Sequence, residues 1–187
     1  MVSAASAAAA ALEPREDQRA FFRALFEREL DYVWTSLRRL GVHARDVEDV
    51  AQEVFLQLHR RLDQYDPSRP IRPWLFAFAL RCASDWRRLA RHRLEAQGDP
   101  DDWAGGSMVA DDAIIRAEDL ALVMAALERV EIERRAVLIL HDLDEVCMKE
   151  IAQAMAIPLF TAYSRLRLAR EEFSAAARRL LAQRGDL

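Results

Sequence analysis

One predicted helix near the carboxyl end of the chain carries side chains suited to nucleic acid. They are expected to be exposed, and they are Thr161, Tyr163, Ser164, Arg165, Arg167 and Arg170. Guanidinium and hydroxyl groups donate hydrogen bonds to phosphate oxygens and to base edges, and a planar ring can contact a base. The set therefore favours reversible binding of DNA. Two ordinary helices of a bundle are the alternative interpretation of the same window.

A second basic segment follows a tryptophan, and its candidate contacts are Trp74, Arg81, Arg87, Arg88 and Arg91. Five arginines fall between Arg81 and Arg93, where Asp85 is the only acid. Arginines neutralise phosphates, and the exposed bases of a single strand stack on aromatic rings. The segment therefore favours single-strand binding, with a solvated basic face as the alternative.

Acids crowd the predicted helix from Asp46 to Leu62. Its core stripe is formed by Val47, Val50, Ala51, Val54, Leu58 and Leu62. Asp49, Gln52 and Glu53 lie off this stripe, with Phe55 and Leu56 partly off it beside them. Acids at a helix amino terminus stabilise the helix dipole, whereas exposed apolar groups rimmed by charge mark partner surfaces. Both interpretations stay open.

The histidines and cysteines do not form a catalytic or metal-binding pattern. His43, His59, His92 and His141 fall on different predicted elements, and the sequence has no metal-ligand pair of the His-x-x-x-His kind and no glycine-rich phosphate loop. Two cysteines are too few for a disulfide framework and fit a reducing cytoplasm. We therefore expect no enzyme activity, no cofactor and no metal, in a cytoplasmic protein.

The elements that must position these residues are helices. With only five glycines and six prolines in 187 residues, and no alternating strands, the chain is predicted to be all-α. The first helix is predicted from Glu16 to Leu40, closed by Gly41. Near the carboxyl end, Ala152 permits a close helix crossing, Ile157 fills a corner, and Pro158 suits only the start of a helix, which is typical of a helix-turn-helix.

Charge divides the chain into two small helical domains. Residues 15–93 hold sixteen basic and twelve acidic residues, whereas residues 94–112 hold six acidic residues and no basic one, within a net charge of −4. We predict a frayed alanine-rich tail at 1–14, a first domain at 15–93, a flexible acidic linker at 94–112 and a second domain at 113–187. The alanine run is too weakly apolar for a membrane span, and no membrane insertion is expected.

Three segments in this order resemble a bacterial RNA polymerase sigma factor of the extracytoplasmic-function group. They are DVEDVAQEVFLQLHRRLDQYDPSRPIRPWLFAFALRCASDWRR, the acidic linker, and KEIAQAMAIPLFTAYSRLRLAR. The resemblance runs from about Arg19 to Leu180. It implies regions two and four of that family, an alternative sigma factor without a catalytic centre, and a linker that passes through the polymerase active cleft.

The resemblance also implies a role for each candidate set. Asp49, Gln52, Glu53 and Leu56 would dock on the clamp helices of the polymerase beta-prime subunit. The segment with Trp74 and the four arginines would capture the minus-ten promoter strand, where a base is flipped out. The carboxyl-terminal set would read the duplex minus-thirty-five element, and an anti-sigma factor is an expected partner.

Several positions depart from the family pattern. Arg81 stands where the family often has Asn, and Cys147 stands where a serine commonly caps the helix. Phe160, Tyr163 and Leu168 replace residues that are usually glycine or basic. With Arg81 the identity of the flipped base stays open, and at Cys147 we expect a weaker helix cap than serine would give. The smaller number of charges in the recognition helix is expected to weaken contacts with the DNA backbone and to alter base preference. The alternatives are a stand-alone helix-turn-helix regulator and a helical decoy that binds a sigma antagonist.

Overall fold

The structure is a computed structural model that describes the backbone of residues 16–97 and 111–185, and the side chains of residues 18–90 and 118–185. These ranges are helical and contain no strand. Seven α-helices follow in order: α1 Glu16–Arg39, α2 Val47–His59, α3 Ile71–Gln97, α4 Asp111–Glu128, α5 Ile132–Leu138, α6 Met148–Ala154 and α7 Leu159–Arg184. A 3-10 turn spans Leu62–Gln64, and a π-helical turn spans Ile139–Leu143. No helix in the described ranges has the length and apolarity needed to cross a membrane.

Helices α1, α2 and α3 form the first helical unit. All six residues of the predicted stripe from Val47 to Leu62 are buried, as expected of apolar residues that repeat on one face of a helix. Helix α1 ends one residue before the predicted Leu40. Gly41, at φ +92°, donates to the Arg38 carbonyl at 3.0 Å, and Val42 donates to the Leu37 carbonyl at 3.0 Å. This is the C-cap geometry expected of a glycine in the left-handed region.

The prolines at 67, 70 and 73 predict a rigid, proline-rich loop from Asp63 to Pro73, and the boundaries of this loop and of the linker need correction. Helix α3 begins at Ile71, so Pro73 lies in its first turn, where the missing N–H has no intrahelical acceptor to lose. Helix α2 ends at His59 and is followed by the 3-10 turn, short of the predicted end at Leu62. Helix α3 continues to Gln97, and α4 begins at Asp111, so both ends of the predicted linker are helical. Its centre, residues 98–110, and the predicted tail at 1–14 lie outside the described residues.

A buried carboxylate ties the start of α3 to α1. Glu29 is only 3% exposed and accepts hydrogen bonds from Arg28 at 2.8 Å and from Arg72 at 2.9 Å. Burial raises the pKa of Glu29, but the two arginines outweigh it and hold the pKa below its ordinary value. The pairing fixes where the basic helix leaves the proline-rich loop.

Helices α4 to α7 form the second helical unit, which contains the helix-turn-helix predicted from the sequence. Between α6 and α7, Ala156 adopts a φ of +53° and donates to the Gln153 carbonyl at 3.1 Å, while Ile157 donates to the Ala152 carbonyl at 2.9 Å. Cys147 occupies the N-cap of α6 without a side-chain capping bond. This agrees with the expectation that cysteine caps more weakly than serine.

The two units pack against each other around Arg135 of α5, which is fully buried. Its guanidinium donates to the Leu40 carbonyl of the first unit at 3.0 Å, and within its own unit to the carbonyls of Glu128 at 2.7 Å and Val130 at 3.0 Å. Burial lowers the pKa of Arg135 to about 10, so the side chain stays charged at neutral pH.

Two further features belong to the contact between the two helical units. Asp144 of the second unit accepts from the Tyr32 hydroxyl at 2.9 Å and from Arg39 at 3.0 Å. A methyl group on Gly41 would lie 2.8 Å from a guanidinium nitrogen of Arg135. We call the contact of Tyr32, Arg39, Leu40 and Gly41 with Arg135 and Asp144 the seam. Beside the seam, buried apolar side chains of both units form one continuous cluster.

Candidate nucleic-acid and protein interfaces

The acidic face of α2 is accessible. Asp49, Gln52 and Glu53 are exposed, and the Leu56 side chain is 46% exposed. Phe55 is only 3% exposed, which corrects the prediction that it lies partly off the core stripe. Phe22 and Phe26 of α1 cover it, with the Phe26 and Phe55 ring centres 4.7 Å apart.

An apolar groove continues this face onto α1. Its volume is about 540 Å³, and its lining includes Gln52 and Leu56 together with Phe26 and Trp34 of α1. Phe26 and Trp34 are 37% and 40% exposed, so two large aromatic rings adjoin the acids of α2. The sequence pattern did not indicate either residue as part of this face. Apolar groups beside acids suit a partner helix with an apolar stripe and basic flanks.

The α3 segment holds an aromatic cluster. Trp74 is half-buried, and its ring centre lies 5.1 Å from that of Tyr65 and 5.0 Å from that of Phe78. The Arg81 guanidinium lies 4.5 Å from the Phe78 ring centre. Burial lowers the pKa of Arg81, and the nearby Arg61 lowers it further. Aromatic faces and guanidinium groups together offer stacking surfaces and phosphate ligands.

A cavity of about 440 Å³ opens over this cluster. Arg61 and Arg69, which the sequence interpretation did not select, line it together with Trp74 and Arg81. Its other wall is formed by Glu150, Gln153 and Ala154 from α6 of the second unit. In this structure the helix-turn-helix therefore covers part of the aromatic and basic surface of α3.

Arg87 and Arg88 do not line this cavity. Arg87 is half-buried and faces the seam, 3.5 Å from the Leu40 carbonyl. Arg88 is exposed and pairs with Asp85 at 3.2 Å. Arg91 belongs to α3, but its side chain lies outside the described residues. Of the three predicted arginines whose side chains the structure describes, Arg81 alone lines the cavity.

The α7 arginines are paired with acids of the same chain. Arg165 pairs with Glu133, Arg167 pairs with Glu171 at 2.6 Å, and Arg170 pairs with Asp142 at 2.6 Å. The last contact lowers the pKa of Asp142. In the free chain, carboxylates therefore occupy some of the donors with which these arginines could bind phosphate.

The six predicted α7 residues differ in exposure. Tyr163, Arg167 and Arg170 are exposed, whereas Thr161, Ser164 and Arg165 are half-buried, because α7 turns Ala162, Leu166 and Ala169 into the core. The prediction that all six are exposed is therefore wrong for the second group. Phe160, noted in the sequence only as a departure from the family, is 83% exposed.

The cysteines occupy different environments and do not meet. Cys82 is buried, and burial raises the pKa of its thiol to about 12, whereas Cys147 is exposed. Across the described residues, no three histidine, cysteine, aspartate or glutamate side chains gather in a group that could hold a metal ion.

Two family models match the chain in the order of its two helical units. The model described as Sigma-70 region 2 matches residues 25–95, and the model described as Sigma-70, region 4 matches residues 120–173. The first match contains α2 and most of α3, and the second contains the helix-turn-helix.

Proteins similar to most of this chain are RNA polymerase sigma factors. The RNA polymerase sigma factor NccH of Alcaligenes xylosoxydans xylosoxydans is 30% identical over 163 residues, which cover 85% of this chain and 87% of that protein. The ECF RNA polymerase sigma factor SigW of Bacillus subtilis is 25% identical over 150 residues, covering 75% and 80%. The fold is also similar to sigma factor RpoE, solved with the anti-sigma factor NepR from Bartonella quintana, with a TM-score of 0.62, 20% identity, and 82% of this chain and 96% of that chain covered.

Proposed function

The chain belongs to the extracytoplasmic-function group of RNA polymerase sigma factors, and from this premise we propose how its surfaces serve promoter-specific initiation. It is an alternative sigma factor, which binds core RNA polymerase and directs it to promoters. Sigma factors are not catalysts, so the polymerase carries out the bond formation. We place its action in the cytoplasm with the polymerase. The matches to both regions favour this function over a stand-alone regulator or a decoy.

Docking on core polymerase is assigned to the α2 face and its groove. Asp49, Gln52, Glu53 and Leu56 are the proposed contacts with the beta-prime clamp helices, and the α1 side of the groove adds Phe26 and Trp34. The exposed acids would steer a basic partner, while the apolar rings would supply the buried area. This surface lies open while the seam is closed, so polymerase can bind the free chain.

Capture of the minus-ten strand is assigned to the aromatic cluster of α3. Trp74 would stack on an unpaired base, and Arg81 would hold its phosphate, with Arg88 and Arg91 along the same helix. Arg87 contributes there only after the seam has opened. Unstacking a base costs a few kcal/mol, which stacking on the ring and backbone contacts offset. The observation that carries this proposal is the cavity in which Trp74, Phe78 and Arg81 meet.

Reading of the minus-thirty-five duplex is assigned to α7. Tyr163, Ser164 and Arg167 would reach base edges, while Thr161, Arg165 and Arg170 would hold the backbone on either side. Each arginine would exchange a carboxylate of this chain for a DNA group. Binding should therefore be weaker and less salt-dependent than the number of arginines suggests, because salt also screens the pairs within the chain.

The two units must separate before the minus-ten strand can bind. Helix α6 forms one wall of the α3 cavity, so the closed chain offers the docking face but not the whole strand-capture surface. We propose that the first and second helical units act as regions two and four, and that the segment between α3 and α4 spans the polymerase cleft. Since the similar RpoE was solved with an anti-sigma factor, we expect such a partner for this chain as well.

Replacing Trp74 with alanine tests strand capture. With core polymerase, we expect transcription from a duplex promoter to fall roughly tenfold, because stacking on one base contributes about 1–3 kcal/mol. A template already unpaired at the minus-ten element should recover most of the loss, because strand separation is no longer required. Run-off transcription on both templates measures the effect.

The comparison of the two templates can also contradict the role proposed for Trp74. If the variant loses the same fraction of transcript on duplex and unpaired templates, Trp74 does not act in strand opening. Thermal unfolding of the variant alone should show that the first helical unit is still folded. Wild-type chain that yields no promoter-dependent transcript on either template would contradict the proposed function.

A further inference from the structure

Phe160 has the most exposed ring among the large apolar side chains that the structure describes. It is 83% exposed and lies in the first turn of α7, two residues after Pro158. Helix α7 packs into the core through Ala162, Leu166 and Ala169, and the Phe160 ring takes no part in that core. The ring therefore has no stabilising role in the free chain.

Helical spacing places Phe160 in line with polar residues on the outer side of α7. Phe160, Ser164 and Arg167 are separated by four and three residues, so they lie along one face, opposite the buried alanines. Tyr163, 56% exposed, flanks this row. A single exposed apolar side chain is ordinary, but this one continues the row assigned to DNA.

The position and chemistry of the ring together point to one base feature. First-turn residues of a recognition helix contact base edges in the major groove. A phenyl ring offers no conventional hydrogen-bond donor or acceptor, and the apolar group that bases present in this groove is the C5 methyl of thymine. The α7 arginines are tied to acids in the free chain, whereas the Phe160 ring is accessible without any exchange of partners.

We propose that Phe160 is a specificity-determining residue that packs against the methyl group of a thymine in the minus-thirty-five element. The proposal rests on the function assigned to α7 above and names the base feature that this chain reads. It concerns base preference, and the acidic face of α2 remains responsible for polymerase binding.

Thymine-to-uracil exchange provides the test, because the two bases differ only in the methyl group. Promoters are first selected from randomised upstream DNA with core polymerase and the full chain. Each thymine of the minus-thirty-five element is then replaced singly by uracil. We expect one position to lose roughly fourfold in run-off transcription, the effect of burying one methyl group. With Phe160→Ala, thymine and uracil templates should perform equally.

Leu159→Ala is the matched control. Leu159 is an exposed apolar neighbour, 41% exposed, but it lies off the row of Phe160 and Ser164. This variant should keep the preference for thymine. The proposal is overturned if uracil has no effect at any position. It is also overturned if Phe160→Ala lowers transcription equally on thymine and uracil templates, which would indicate that the ring contacts a protein. Absence of any transcript on thymine templates would instead contradict the sigma function itself.

Discussion

Core polymerase is expected to lose its affinity for the chain when Asp49 and Glu53 are both replaced by lysine. The two carboxylates are exposed one helical turn apart on α2, beside the apolar groove. Placing like charges against a basic partner costs several kcal/mol, so we expect binding to weaken by roughly a hundredfold or more. Co-purification with core polymerase and run-off transcription measure the loss.

The fold should survive this change. Asp49 lies in the first turn of α2, where losing a favourable helix-dipole interaction costs about 0.3–1 kcal/mol. Asp63→Lys with Asp119→Lys makes the same change in net charge at two exposed positions away from the groove, and this control should still co-purify. If the Asp49 and Glu53 variant co-purifies as well as the control, the α2 face is not the docking site.

Arg135→Met is expected to lower the free energy of unfolding by about 3 kcal/mol or more. Methionine fills much of the same space but leaves the carbonyls of Glu128 and Val130 without the arginine donor, and the Leu40 carbonyl with only Arg87 at 3.5 Å. Each buried group that loses its partner costs about 1–3 kcal/mol. Because one of these carbonyls belongs to the first unit, the variant should also weaken the seam. Chemical denaturation gives the energy, and small-angle scattering gives the change in compactness.

Gly41→Ala supplies a coupled test of the seam. Alanine at a φ of +92° is strained, and its methyl group would also lie 2.8 Å from the Arg135 guanidinium. In the Arg135→Met background the backbone strain should remain, whereas the clash with the guanidinium should disappear. The effects of the two substitutions on the free energy of unfolding should therefore not be additive. Additive energies, or an Arg135→Met variant as stable and compact as wild type, would show that the seam does not form in solution.

Local periodicity was sufficient to predict the core of α2 but not its surroundings. The stripe from Val47 to Leu62 is buried as expected because each member repeats at helical spacing. Phe55 is buried for a different reason, since rings from α1 cover it. Whether rings of α1 cover Phe55 depends on how α1 and α2 cross. The sequence pattern of neither helix specifies that crossing.

The arginines also show that tertiary partners cannot be predicted from a local sequence pattern. Arg135 was not singled out in the sequence, because its environment depends on a carbonyl 95 residues away in the chain. Arg165, Arg167 and Arg170 were correctly assigned to α7, but their acidic partners could not be predicted. Residue type indicates what an arginine can bind, whereas tertiary packing decides whether it is free to bind it.

Site-specific photo-crosslinking tests most directly the claim that the two units must separate for promoter capture. Gln153 is exposed on α6 and lines the cavity opposite Phe78 and Arg81. A benzophenone side chain placed at this position in the free chain should crosslink to α3, whereas the same probe at exposed Arg178 on α7 should not. After addition of core polymerase and promoter DNA, the crosslink from position 153 to α3 is expected to disappear. An undiminished crosslink in the transcribing complex would contradict the account.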